Sequence, residues 1–196
     1  MTRELLTWVD RSDAPAPGSW ALRVSVADID RSGPFSEYAG IDRCFAVLSG
    51  AGVELTVNSN PVSLSPANDP ISFSGDVSVS CELIGGPTQD LNLMGRTELG
   101  SIFMCRAKPL SSFGKPYLWR ALFAYSAARL EISKHSDPVA LSPGTLYWTD
   151  LSEPDWRLLD AKQAYWLGWT PRGTLPPVVG TGQRDEIAIQ PNGAPT

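Results

Sequence analysis

Histidine is almost missing from this sequence: His135 stands alone among 196 residues. One histidine excludes a multi-histidine metal centre and leaves a histidine-based catalytic triad a single candidate. His135 sits in the polar run SKHSDP at positions 133–138, which reads as a surface loop. Cysteine is scarce and odd in number, with Cys44, Cys81 and Cys105 lying too far apart for the CxxC pairs of zinc sites. Their apolar surroundings mark them as reduced core residues of a cytosolic protein. Phosphate-binding and nucleophile-elbow motifs are absent: no GxGxxG follows a strand, and neither GxxxxGK[ST] nor GxSxG occurs. Positive charge is in deficit, and the net charge of −5 argues against nucleic acid as a partner. No run approaches the roughly 20 apolar residues of a membrane span, and the N-terminus carries no signal-peptide core.

What the chain does have is punctuation. Seventeen glycines and seventeen prolines are spread over its whole length. Between them lie short stretches in which apolar and polar residues alternate, as on half-buried strands. Trp20, Leu22, Val24 and Val26 share one face of residues 20–29, with Arg23 and Ser25 on the other. Residues 53–57, 77–83, 90–94, 101–107 and 145–148 repeat the style, and Gly95 is read as a break before Arg96. Residues 71–73 read as an edge strand, and residues 58–70 as loop with one short strand. Residues 11–19, with Pro15, Pro17 and Gly18, must be loop. Residues 117–132 are rich in alanine, yet their aromatics favour strands with a turn at 126–128. Residues 158–169 supply late strands, and 186–189 a last one. A dozen or so short strands with turns every eight to twelve residues mean an all-β sandwich or barrel.

One stretch carries a charge where none is expected. Residues 35–55 read FSEYAGIDRCFAVLSGAGVEL, an apolar run between two turns. On a strand Arg43, Phe45 and Val47 point one way, and Cys44, Ala46 and Leu48 the other. Both sets are mainly apolar, so the strand should be covered on both faces and Arg43 at least partly buried. Residues 43–48 and 53–57 are expected to pair as a hairpin around Gly50 and Gly52. An unpaired buried guanidinium is destabilised by several kcal/mol, so Arg43 needs an anion. One reading supplies it internally, from Glu82 or Asp90. The other supplies it from a ligand carboxylate, which guanidinium geometry suits. Asn92 would then add an amide, and Phe35, Trp20 or Tyr38 an apolar wall. The tryptophans of the C-terminal part (Trp148, Trp156, Trp166, Trp169) read as core or dimer interface rather than a ligand cage.

Four segments in order, TREL at 2–5, FSEYAGIDR at 35–43, LSGAGVEL at 48–55 and DLNLMGR at 90–96, resemble the HutD/Ves family. The match covers roughly the first hundred residues. Members usually reach Thr-Arg-Glu through a Trp-Arg-Asn-Gly-Gly-Gly-like run. Met1 here stands directly before Thr2, which points to a late-assigned start or a lost segment. The resemblance implies a cupin-like double barrel (a bicupin, RmlC-like), with halves at residues 1–107 and 108–190 and a frayed tail at 191–196. It implies no metal and no other cofactor. It implies a small acidic metabolite of histidine degradation, urocanate or formylglutamate, as ligand, and a restraining role in histidine utilisation. The family's pocket arginine falls on Arg43, with Thr2, Arg3, Glu4, Phe35, Asn92 and Met94 completing the site. The protein would be cytoplasmic, a possible homodimer, with neither nucleic acid nor membrane as partner. Two other readings stand beside this one. In a metal-independent isomerase or lyase, Glu4, Glu82 or Asp90 would be the general base and Arg43 the oxyanion stabiliser. An interaction protein using its aromatic C-terminal half would form no cleft around Arg43.

Overall fold

The computed structural model describes residues 1–10, 20–151 and 154–173. The expected loop at 11–19, the strand at 186–189 and the tail at 191–196 lie outside them. Every regular element among the described residues is a strand, and every pairing is antiparallel. The first sheet runs in the order β1 (Thr2–Trp8), β2 (Leu22–Ile29), β9 (Thr88–Arg96), β4 (Ile41–Ser49), β7 (Ile71–Ser74). The second runs β3 (Gly33–Pro34), β8 (Val79–Leu83), β5 (Val53–Val57), β6 (Asn60–Leu64). Together they make the first barrel. The third sheet runs β10 (Gly100–Arg106), β17 (Ala164–Pro171), β12 (Trp119–Ala124), β15 (Thr145–Thr149). The fourth, β11 (Ser112–Phe113), β16 (Trp156–Ala161), β13 (Ala128–Glu131), β14 (Val139–Leu141), closes the second barrel. The alanine-rich stretch is therefore β12 and β13, as its aromatics suggested.

Strand alternation explains how the two barrels join. Phe45 and Val47 of β4 point into the first barrel and pack with Val53, Leu55, Leu64, Val79 and Cys81. Cys44, Ala46 and Leu48 point the other way, into a second core shared with Trp119, Phe123, Leu167 and Trp169 of the third sheet. A third core, around Phe113, Tyr117, Trp156 and Trp166, fills the second barrel. The tryptophan reading holds for Trp156, Trp166 and Trp169, while Trp148 keeps 40% of its surface exposed. Burying each of these large aromatics from water contributes on the order of 3 kcal/mol. Two polar bonds also cross between barrels: the Tyr165 hydroxyl donates to the Val47 carbonyl (3.2 Å), and Gln163 Nε2 to the Leu48 carbonyl (3.0 Å).

Three expectations are corrected here. β4 and β5 are not a hairpin: β4 pairs with β7 and β9, and β5 with β6 and β8. The glycines carry the chain from one sheet to the other instead. Gly50 and Gly52 have φ of +94° and +115°, and a Cβ at Gly50 would lie 2.6 Å from the Pro87 carbonyl oxygen. Gly95 is no break, since β9 runs through it, paired with Leu22 and Asp42. The expected division at 107/108 puts β10 in the first half, but its pairing along β17 joins it to the second.

Candidate ligand-binding site

The interior face of the first sheet is built by neighbouring antiparallel strands in register. Arg43 of β4 lies opposite Met94 of β9, Phe45 opposite Asn92, and Val47 opposite Asp90. β2 adds Ser25 opposite Asn92 and Ala27 opposite Asp90. The polar residues of the interior face, Arg43, Asn92 and Asp90, thus run diagonally across β4 and β9, starting from the Arg43 end of β4. Over that end folds the chain between β2 and β4. It is pinned by the Phe35 N–H on the Val79 carbonyl (2.8 Å) and the Tyr38 N–H on the Gly75 carbonyl (2.9 Å). Between this cover and the sheet lies a cavity of about 320 Å³. That is within the roughly 300–1,000 Å³ usual for small-molecule sites.

Arg43 lines this cavity and is 7% exposed. The rings of Phe35 (5.2 Å), Phe73 (5.2 Å) and Tyr38 (5.8 Å) surround its guanidinium carbon. Such contacts attract a cation but satisfy none of its N–H donors. One Nη donates to Asn92 Oδ1 at 2.9 Å, and Nε has no hydrogen-bond partner. Asn92 in turn donates its Nδ2 to Asp90 Oδ1. The order is thus guanidinium, amide, carboxyl, with the amide separating the two charges. Among the described residues no ion pair within 4.0 Å involves Arg43 or Asp90. The electrostatics follow from this. Burial lowers the Arg43 pKa, with Asp90 and Tyr38 opposing. Burial pushes the Asp90 carboxyl up to about 7, against the pull of Arg43 and of the Asn92 bond.

Of the residues expected at the site, Arg43, Phe35, Asn92, Met94 and Thr2 line the cavity, and Arg3 and Glu4 do not. Alternation is the reason for Arg3. It pairs with Val26 of the face turned toward the second barrel, opposite to Thr2. Glu4 shares the Thr2 face but turns to Arg23, at 2.7 Å, with both side chains largely exposed. Glu82 is exposed on β8, so it cannot be the internal partner of Arg43. Asp90 lies near, yet reaches Arg43 only through Asn92. Trp20 is no wall of the cavity, since its ring lies over Arg96 (5.3 Å) and Arg23 (5.7 Å). Sequence reasoning placed Asp90 beside Arg43 as an ion-pair partner or base; it lines the cavity, alternating with Asn92 and Met94. Sequence reasoning missed Asp28 of β2 and Asp30 and Arg31 of the cover. Cys44 and Cys81 are buried and unpaired, and His135 is exposed in a turn. No cluster of three or more His, Cys, Asp or Glu able to hold a metal ion occurs among the described residues. No helix there is long and apolar enough to cross a membrane.

This fold and this site define a cupin-like double barrel with a caged arginine at the mouth of its first barrel. The chain belongs to the HutD family, whose family model matches residues 1–166. It is similar to an uncharacterized 21.2 kDa protein in the hutC 3′ region of Pseudomonas putida, 38% identical over 86 residues. That alignment covers 44% of this chain and 45% of the relative. Protein Ves of Citrobacter koseri is 34% identical over 96 residues, 48% of this chain and 47% of the relative. The chain thus spans about half the length of the curated relatives it matches. Among solved structures, HutD from Pseudomonas fluorescens, in a formate condition, is 28% identical with a TM-score of 0.72. The match covers 88% of this chain and 89% of that one.

Proposed function

We propose that the first-barrel cavity binds a small carboxylate metabolite, without a metal, and that this binding modulates histidine utilisation in the cytoplasm. The observation that carries the reading is Arg43: a buried guanidinium in a cavity, with one hydrogen bond and no carboxylate at ion-pair distance. A ligand carboxylate would take the open donors in a charge-assisted, forked contact, the strongest hydrogen-bonding mode open to a guanidinium. Phe35 and Tyr38 would cover the ligand's apolar body, and Met94 and Thr2 would bound it. Urocanate and formylglutamate are the candidates, because the hutC-region relative and the family name both point to histidine utilisation.

The test is a thermal-shift and calorimetric titration with urocanate, formylglutamate and simple dicarboxylates, on wild type and Arg43→Ala. A compound that stabilises only the wild type supports the proposal, since a ligand that binds the native state raises its stability by linkage. No response from the wild type to any of them sinks it. A second reading has one observation in its favour. A carboxyl pushed up to about 7 beside a guanidinium suits general acid–base chemistry, as in a metal-independent isomerase or lyase. Under that reading the wild type turns a bound compound over and Asp90→Asn does not, with product followed by NMR.

A further inference from the structure

We propose that Asp90 is itself a ligand-binding group, acting in its neutral form, so that the cavity takes up a carboxylate together with a proton. The inference rests on the carboxylate reading and adds to it a residue and a stoichiometry.

The argument begins with what surrounds Asp90. It is 2% exposed, lines the same cavity as Arg43, and accepts a single side-chain hydrogen bond, from Asn92. A buried carboxylate is held ionised by a cation in contact or by two or three donors. Asp90 has neither among the described residues. The charged and titratable groups facing it come from every side. Arg43 approaches from β4, Asp28 from β2 and Cys81 from β8, with the Met1 amino group beyond. Arg43 and the amino group favour the anion, while Asp28 and burial disfavour it, burial most strongly.

A carboxylate arriving at Arg43 brings a second negative charge into this space. With Asp90 ionised, two anions would then share one buried cation, and they would repel each other at short range. With Asp90 protonated, the ligand and Arg43 form a neutral pair, and the Asp90 O–H becomes a donor facing an acceptor-rich ligand. Asn92 has only one N–H left to offer, because its Oδ1 accepts from Arg43 and one hydrogen of its Nδ2 goes to Asp90. The proton comes from solvent and returns there when the ligand leaves. Nothing is oxidised or reduced.

The experiment is isothermal calorimetry with formate and formylglutamate, neither of which titrates above about pH 5. Each titration is run in two buffers of different ionisation heat, from about pH 6 to about pH 9. The wild type should take up close to one proton per ligand at the alkaline end. Its Kd should rise by up to tenfold per pH unit above neutrality, approaching about 100-fold over the range. Asp90→Asn, the same shape without the charge, should bind at all pH values about as tightly as the wild type does near pH 6, with no proton uptake. Binding by the wild type with a flat pH profile and no proton uptake overturns this inference and leaves the carboxylate reading standing. Proton uptake that persists in Asp90→Asn overturns it too, because another group then carries the proton. Failure of both carboxylates to bind anywhere in the range overturns this inference, and the carboxylate reading goes with it when urocanate and the dicarboxylates also fail.

Discussion

Replacing Arg43 with methionine should abolish carboxylate binding while leaving the fold nearly as stable as before. The losses are readable from the geometry. The charge-assisted bond to Asn92 is worth about 1.5–3 kcal/mol. The three ring contacts share one cation and together contribute about 2 kcal/mol. Against these stands the desolvation of a guanidinium that is 7% exposed, several kcal/mol that methionine does not incur. Methionine also keeps an unbranched apolar stem against the same aromatic rings. Removing Arg43 strands no anion, since Asp90 without its nearest cation is simply held neutral more firmly. The opposing contributions cancel to within about 1 kcal/mol. Arg43→Ala differs by the lost stem, whose burial adds about 2 kcal/mol of destabilisation. The assay is urea unfolding of the three proteins, with carboxylate titration of each. A methionine variant destabilised by more than about 3 kcal/mol, the usual result of breaking a buried ion pair, would refute this reasoning. It would make Arg43 part of the fold rather than part of a site.

Two further outcomes follow. Because the Asp90 carboxyl is pushed up from 3.8 to about 7, the folded protein binds that proton more tightly than the unfolded chain. Its contribution to stability is therefore full below about pH 4, falls as pH rises toward 7 and is level above, by up to the order of 4 kcal/mol. Asp90→Asn should gain stability relative to wild type across that window, and parallel urea-unfolding profiles from pH 4 to pH 8 would contradict it. Gly168→Ala should destabilise the second barrel by about 1–3 kcal/mol. The new Cβ would lie 2.4 Å from Tyr117 Cδ1, in a ring already stacked on Phe113 at 4.7 Å. A chemical-denaturation midpoint equal to wild type would show that this contact yields freely.

Strands were legible in this sequence because side-chain alternation is local. The double-sided burial of residues 43–48 could be read from two interleaved apolar sets, and so could the one charge that did not belong. Pairing was not legible. A Gly-x-Gly after a strand serves a hairpin and a crossing between sheets alike, since both use positive φ, and only the strand pairing tells which. At the site, Arg43 stood out by its charge and Asn92 by its place in β9. Asp90 was weighed as an ion-pair partner or base rather than as a wall, because the intervening amide is a matter of register. The cover, with Asp30 and Arg31, has no periodicity to betray it, since it is held by backbone bonds to β8 and Gly75. Arg3 was misplaced for the opposite reason. The motif that drew attention to it also contains Thr2 and Glu4, and alternation turns Arg3 away from both.

β4 behaves like a text read in two interleaved frames. Odd positions, Arg43, Phe45 and Val47, spell the inside of the first barrel, while even positions, Cys44, Ala46 and Leu48, spell the seam with the second. Point substitutions in one frame leave the other intact, so the ligand site and the seam can drift independently over generations. A one-residue deletion cannot respect that separation. It exchanges the frames, swings the guanidinium in among Leu91, Trp119 and Trp169, and erases site and seam in a single event.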